Sequence, residues 1–220
     1  MHVTIKNSLL KLLPDFDIIA LKMDVNLKDS EKIKPLVKSI EKEVMEEYSL
    51  ADVLNIPLIK EARDAYKTLG KDPSRYRLAC ESLLRRLVKG KGLYLINNIV
   101  DLGNILSIKT NRSVAVLDYN KIEGDVEIRI GTENDEYYGI GRGKINVSDI
   151  PVYVDKASPF GSTTSDTLRT AITDETKTIL LFIICFSTTD MQEHENLAKT
   201  LFQDYADARN IERINVRKEY

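Results

Sequence analysis

The sequence predicts a mixed α+β fold, in which helices and strands are grouped along the chain. Through most of the first half, apolar residues recur at the 3.6-residue spacing of amphipathic helices. In the second half, several short segments alternate apolar and polar residues with the period of two that is typical of β-strands. Because helices and strands do not alternate strictly, the pattern does not favour a parallel βαβ architecture.

The predicted helices are bounded by residues that commonly begin or end a helix. Pro57 suits a first helical turn, whereas Gly70 and Gly90 suit helix ends. Asp190 and Glu193 form a capping pattern for the last helix. We therefore expect helices at roughly 31–48, 57–70, 74–89 and 99–108, and a last one after Asp190.

The predicted strands are short, except for one apolar segment near the C-terminus. TILLFIICF (178–186) is almost wholly apolar, so both of its faces should be buried. IERINV (211–216) is expected to be an edge strand. The other expected strands are 17–25, 113–119, 125–130 and 151–155.

The length of 220 residues suits one large domain, or one domain with an N-terminal extension. The turn-forming segment KDPSRY places a boundary near residue 70. We expect an N-terminal α/β extension at 1–70, packed on a main domain at 71–220.

Charge and residue usage exclude several classes of site. The net charge is only −2, so any contact with nucleic acid must come from a local patch. Cys80 and Cys185 are far apart and have no CxxC partner, and the only histidines are His2 and His194. We therefore expect no metal and no cofactor. The longest apolar run is too short to cross a bilayer, so we expect a cytoplasmic protein without membrane contact.

A dense run of positive charge is the first candidate site. Between residues 75 and 91 the only acidic residue is Glu81. Such clusters attract phosphates, but cations near a helix C-terminus also complement the helix dipole, so both interpretations stand. The candidate RNA-binding residues are Arg75, Arg77, Arg85, Arg86, Lys89 and Lys91.

The second candidate is a polar loop, 158–176, directly before the apolar strand. Gly161 would permit close approach of a ligand, and hydroxyls near it can hold a water or a carbonyl oxygen. The alternative is a turn whose own side chains satisfy its backbone. The candidate residues are Ser162, Thr164, Ser165, Asp166, Arg169 and Thr170.

The third candidate is INNIVDLGN (96–104). Asn97, Asp101 and Asn104 recur at spacings of four and three residues, so a helix would align them along a pocket. Alternatively, Asn97 is a helix cap and Asp101 a hydrogen-bonded polar residue. The glycine-rich stretch YYGIGRGK (137–144) lacks a complete phosphate-binding fingerprint and suggests only a connection between strands.

The order of four segments resembles the B3/B4 domain of phenylalanyl-tRNA synthetase β subunits. These segments are SLLRRLVKGKGL, INNIVDLGNILSI, VAVLDYNKIEGDVEIRIG and TDETKTILL, and the similarity covers roughly 75–190. FGSTTSDTLRTAIT and the N-terminal helices look like a free-standing branch of that family. The resemblance implies a sandwich-like β core flanked by helices. It also implies a tRNA 3′ end with an attached amino acid as ligand.

The resemblance leads to a first hypothesis, a deacylase that hydrolyses misacylated tRNA in trans. Asp166 would bind the ammonium group, while Ser162, Thr164 and Ser165 would contact water and the carbonyl. Arg169 would hold Asp166 or touch the terminal phosphate, and Asp101 and Asn104 would form the opposing wall. The positive run would contact the acceptor stem.

Two departures from the family pattern favour a second hypothesis, a non-catalytic module that binds RNA or an amino-acid-like ligand. The synthetase often has a histidine at the position of Ala115 or a neighbour, and a glutamate near the position of Phe182. Neither is present here. A third hypothesis is an interaction protein that docks on an aminoacyl-tRNA synthetase through its N-terminal helices, with part of the 31–48 apolar stripe exposed.

Overall fold

A computed structural model describes all 220 residues, and it shows a three-layer α+β architecture. The outer sheet has the strand order β11-β1-β4-β7-β8 and the central sheet the order β10-β2-β9-β3. The outer-sheet strands are β1 (Val3–Ile5), β4 (Val126–Ile130), β7 (Pro151–Val154), β8 (Pro159–Ser162) and β11 (Val216–Lys218). The central-sheet strands are β2 (Asp17–Asp24), β3 (Val114–Asp118), β9 (Thr178–Cys185) and β10 (Arg209–Arg213).

The third layer consists of helices packed on the central sheet. Its helices are α2 (Lys34–Glu47), α3 (Pro57–Thr68), α4 (Ala79–Val88), α5 (Asn98–Thr110) and α6 (Met191–Ala206), whereas the short helix α1 (Asn7–Leu10) contributes Leu9 and Leu10 to the core between the two sheets. A small hairpin pairs β5 (Tyr138–Gly139) with β6 (Gly143–Lys144), and Gly139 also forms a β-bridge with Thr167. No helix is both long enough and apolar enough to cross a membrane.

Strand β9 connects the two cores because its side chains alternate between them. Leu180, Phe182 and Ile184 pack against residues of the outer sheet, and Leu181 and Ile183 pack against the helices. Both faces of β9 are therefore buried, as the apolar run predicted. The space between the two sheets is the sandwich-like core, and the predicted α+β class is confirmed.

Several predicted boundaries differ from the observed ones for local reasons. Helix α4 begins at Ala79 and not near residue 74, because the Asp72 side chain accepts the backbone N–H of Ser74 in a turn and Leu78 is extended. Asp190 precedes α6, but with φ of 56° its side chain makes no cap hydrogen bond.

The C-terminal segment forms two strands where one was predicted. β10 pairs with β2 in the central sheet, and β11 pairs with β1 in the outer sheet. Ile214 lies between them, buried in the core that the two sheets share. The predicted edge strand at 211–216 is therefore wrong in extent, because the chain crosses from one sheet to the other.

The predicted division near residue 70 stays a prediction. Gly70 follows α3 with a φ of 91°, as expected of a helix-ending glycine. However, β1 and β2 from the first part pair with β4 and β9 from the second part. Both sheets thus combine strands from the two sides of the boundary.

Candidate functional site

A cavity of about 320 Å³ opens between α5, β3, the β5–β6 hairpin and the loop that follows β8. It brings two segments together that are distant in sequence, because Asn104 on α5 and Asp166 in the loop both line it. The rest of the lining is almost entirely apolar. It consists of Ile96, Val100, Gly103, Val114, Val116, Leu117, Ile140, Leu168, Ala171 and Ile172.

The wall formed by α5 and β3 depends on a glycine. A Cβ atom at Gly103 would lie 2.5 Å from Cγ2 of Val116, so only glycine allows the helix to approach the strand this closely. Val114 and Val116 share one face of β3 and line the cavity, whereas Ala115 faces the core between the sheets. The alternation of a β-strand thus sets which of these side chains a ligand can reach.

Asp166 carries the one carboxylate of the cavity, and one of its oxygens has no partner. Its Oδ1 is buried without a hydrogen bond, although the residue as a whole is only half-buried. Burial raises the pKa of Asp166 to about 7. At neutral pH this carboxyl group can therefore accept a proton, donate one or bind a cation.

The position of Asp166 is fixed by its neighbours. A Cβ atom at Gly161 would lie 2.8 Å from Asp166 Oδ1 and 2.4 Å from Cδ2 of Tyr153. Gly161 therefore makes room for the carboxylate beside the Tyr153 ring. The carbonyl of Asp166 accepts the backbone N–H of Ile140 at 2.9 Å, which ties the loop to the β5–β6 hairpin.

The hydroxyls of Ser162, Thr163 and Thr164 are engaged inside the protein. Ser162 Oγ donates to the carbonyl of Ser165 at 2.8 Å and accepts the backbone N–H groups of Thr164 and Ser165. Thr163 and Thr164 both share their hydroxyls with the buried Tyr66 hydroxyl. These contacts are those of a self-satisfied turn, which was the alternative interpretation of the loop.

Arg169 binds Asp155, and Asp166 is not among its partners. Its Nη2 donates to Asp155 Oδ1 at 2.8 Å and its Nη1 to the carbonyl of Lys121 at 3.0 Å. Burial alone would raise the pKa of Asp155, but hydrogen bonds from the backbone and from Arg169 hold it below its usual value. Arg169 Nε and the buried hydroxyl of Thr170 have no partner.

The segment 96–104 divides into one cavity residue and two structural ones. Asn97 caps α5 by accepting the backbone N–H of Val100 at 2.9 Å. Asp101 is buried, accepts the Ser30 hydroxyl and the backbone N–H of Ile96, and has a pKa that burial raises. Asn104 is thus the member of the predicted set that lines the cavity.

A second depression, which we term the cationic hollow, has a volume of about 270 Å³. Five predicted RNA-binding residues line it, and Arg75 is not among them. Arg142 also lines it, although the sequence analysis did not select that residue. The complete lining is Arg77, Ser82, Arg85, Arg86, Lys89, Lys91 and Arg142.

The cavity and the cationic hollow are neighbours. Ile140 lines the cavity and Arg142 lines the hollow, and both lie in the turn of the β5–β6 hairpin. On the other side, the Arg86 guanidinium stacks 3.8 Å from the ring centroid of Tyr94, two residues before the cavity residue Ile96. No single sequence motif contains these residues, so only the fold reveals the arrangement.

Comparison with known proteins identifies the family of this fold. A family model described as the B3/4 domain matches residues 61–210. The phenylalanine–tRNA ligase beta subunit of Fusobacterium nucleatum subsp. nucleatum is 29% identical over 124 residues, which cover 53% of this chain and 14% of that protein.

A solved structure supports the fold over almost the whole chain. The crystal structure of an N-terminal fragment of the phenylalanyl-tRNA synthetase beta-subunit from Pyrococcus horikoshii matches with a TM-score of 0.56 at 9% identity. The match covers 99% of this chain and 52% of that one. Because the family model spans well over half of the sequence, this chain belongs to the B3/4 domain family.

Proposed function

We propose that this protein binds the aminoacylated 3′ end of a tRNA and hydrolyses, in trans, the ester that links the amino acid to the ribose. The observation that carries the proposal is the Asp166 carboxyl group, which lines an apolar cavity beside a cationic hollow. The family relation to phenylalanine–tRNA ligase beta subunits supports the same class of ligand.

The parts of such a ligand match the chemistry of the site. The cavity suits the side chain of an amino acid, the hollow suits phosphates, and the junction between them suits the ribose ester. The apolar lining favours an aminoacyl group without a charged side chain.

Hydrolysis requires little beyond positioning, because an aminoacyl ester is already activated. A water molecule adds to the carbonyl carbon while a carboxylate accepts its proton. The ribose oxygen then leaves and takes up a proton. Asp166 has a pKa suited to this exchange near pH 7, and the Asn104 amide lies across the cavity to stabilise the oxyanion.

The test compares Asp166→Asn with Asp174→Asn on a panel of misacylated tRNAs. Asp174 is an exposed carboxylate eight residues further along the chain, and so is a matched control. We expect at least one substrate to be deacylated, with a loss of about 100-fold or more in Asp166→Asn and none in the control. The proposed hydrolysis is excluded if wild-type protein turns over no member of the panel.

One observation favours a non-catalytic module as the second candidate. The hydroxyls of Ser162, Thr163 and Thr164 are all engaged within the protein, so none stands free as a nucleophile. Binding of aminoacyl-tRNA without turnover across the panel would support this candidate.

Docking of a synthetase on α2 is not favoured by the packing of that helix. The stripe residues Val37, Ile40 and Val44 are buried in the helical core. The apolar surface that this third hypothesis needed is therefore already covered.

A further inference from the structure

The cationic hollow contains an unusual concentration of unpaired charge for a chain that is slightly acidic overall. Arg77, Lys89, Lys91 and Arg142 form no ion pair. Arg85 approaches Glu81 only at 4.0 Å, and Glu81 is paired more closely with Arg63, at 2.8 Å. Like charges gathered in this way repel one another, so the arrangement is stabilised only when an anion enters.

The hollow has the size and shape of a binding site for a discrete anion. Its 270 Å³ correspond to roughly nine molecules of liquid water, which is ample for a phosphate group. Its wall is organised as well as charged. Arg86 is held in place by the carbonyls of Lys91 and Gly92 and by the Tyr94 ring, so its guanidinium is oriented before any ligand arrives.

Arg142 connects this hollow to the cavity. The hairpin places it opposite the C-terminal end of α4, more than fifty residues away in sequence. Ile140, two residues earlier, lines the cavity. Since two residues of chain span at most about 7 Å, the Cα atoms of Ile140 and Arg142 lie within about the length of one nucleotide of each other.

We infer that the cationic hollow is a subsite for a backbone phosphate of the single-stranded 3′ end of the RNA, with Arg142 as the residue that completes it. This inference rests on the proposed function, because the ester-bearing ribose must lie at the junction with the cavity. The nearest phosphate is then the one on the 5′ side of the terminal nucleotide. That phosphate belongs to the unpaired end of a tRNA and not to its acceptor stem.

The consequence is a preference for single-stranded ends over duplex RNA. A concave hollow beside the cavity selects a flexible strand that can bend into both, and the rigid backbone of a duplex cannot do so. Arg142 therefore contributes to the choice of RNA as well as to its affinity.

The test measures binding of a fluorescein-labelled single-stranded oligoribonucleotide that ends in CCA. Arg142→Gln and Arg77→Gln are each compared with Lys144→Gln. Lys144 is an exposed cation on the same hairpin that lines a different depression, with Asp135 and Asn146. We expect each hollow variant to lower the affinity about 5- to 10-fold at low salt, and to reduce the slope against salt by about 0.7. The control should stay within about twofold.

Three results would overturn the inference: no binding by wild-type protein at low salt, equal losses in Arg142→Gln and Lys144→Gln, or equal affinity for a blunt RNA duplex with the same number of phosphates. Deacylation is read separately. Arg142-dependent binding without turnover would refute the proposed hydrolysis and leave the phosphate subsite intact. If wild-type protein turns over substrate and Arg142→Gln has the same kcat/KM, the proposed hydrolysis stands and the phosphate subsite is refuted.

Discussion

The carboxyl group of Asp166 lies where burial disfavours its ionised form. A backbone hydrogen bond from Ser162 opposes this effect only in part, Arg169 is taken by Asp155, and the Ser162 hydroxyl binds the carbonyl of Ser165. A buried carboxyl group without full compensation usually reduces stability, and this cost is what supports the binding or chemical role proposed for Asp166. Gly161 serves the same arrangement, because any Cβ atom there would displace the carboxylate or the Tyr153 ring.

The cost of ionising Asp166 should be measurable as a pH dependence of stability. Its folded pKa of about 7 lies above the ordinary value of an unfolded aspartate, so the folded state holds the proton more tightly. The resulting stabilisation is fully present below about pH 4 and is lost as the pH rises through about 7. We expect Asp166→Asn to gain on the order of 1–3 kcal/mol relative to wild type over that interval.

Urea unfolding at a series of pH values would measure this difference in free energy of unfolding. Titration of all other groups largely cancels when variant and wild type are compared at the same pH. Asp174→Asn serves again as the control, because an exposed carboxylate should give a flat difference. A difference for Asp166→Asn that is equally flat from pH 4 to pH 8 would contradict a buried, titrating carboxyl group.

At the scale of elements, the sequence predicted most clearly the helices and strands that are long enough for their apolar residues to show a regular spacing. The helices α2, α3, α5 and α6 and the strands β2 and β9 are of this kind. The strand β1 and the β5–β6 hairpin have two or three residues per strand and were missed because so few residues cannot show an alternation, and β8 (PFGS) was missed because it has a single large apolar side chain. Their positions are set by partners that are distant in sequence.

The candidate site shows the same limit. The sequence singled out the loop and the segment that converge on the cavity, and Asn104 and Asp166 both line it. It did not select Arg142, because a single arginine among glycines carries no local signal. The sequence also could not identify the ion-pair partner of Arg169, because only the fold brings Asp155 next to that arginine.

The start of α5 is held by one buried carboxylate, which makes this element sensitive to a single change. Asp101 joins the backbone of Ile96 to the Ser30 side chain, ahead of α2. Replacing it by alanine leaves the buried Ser30 hydroxyl without its acceptor and removes the acceptor of the part-buried Ile96 N–H, so we expect Asp101→Ala to cost about 1–3 kcal/mol of stability. It should also weaken ligand binding, because Ile96 forms part of the cavity wall.

Asp101→Asn is the matched control for this element. The amide oxygen can still accept the Ile96 N–H, although the group carries no charge. We expect it to retain most of the stability in urea unfolding. If Asp101→Ala were as stable as Asp101→Asn, the carboxylate would not be what holds this segment.

On the scale of the whole molecule, the two sheets bind the ends of the chain to its middle. β1 lies between β4 and β11, and β2 lies between β9 and β10. The first 25 residues therefore supply an interior strand to each sheet. The B3/4 family model begins at residue 61, yet both cores contain side chains from before that point.

This interleaving predicts that residues 71–220 do not fold alone, despite the sequence-based boundary near residue 70. Removing 1–70 takes away β2 and β1, and so exposes one edge of β9 and one edge of β4. It also removes α2 and α3 from the helical core. We expect the truncated protein to show no cooperative unfolding transition in urea, as monitored by circular dichroism. A protein that ends at Asn215 keeps the buried Ile214, loses the edge strand β11 and should still unfold cooperatively, at a lower urea concentration. A cooperative transition in the 71–220 fragment would show instead that the N-terminal segment is a separable extension, and that the strands it contributes are dispensable to the sandwich-like core.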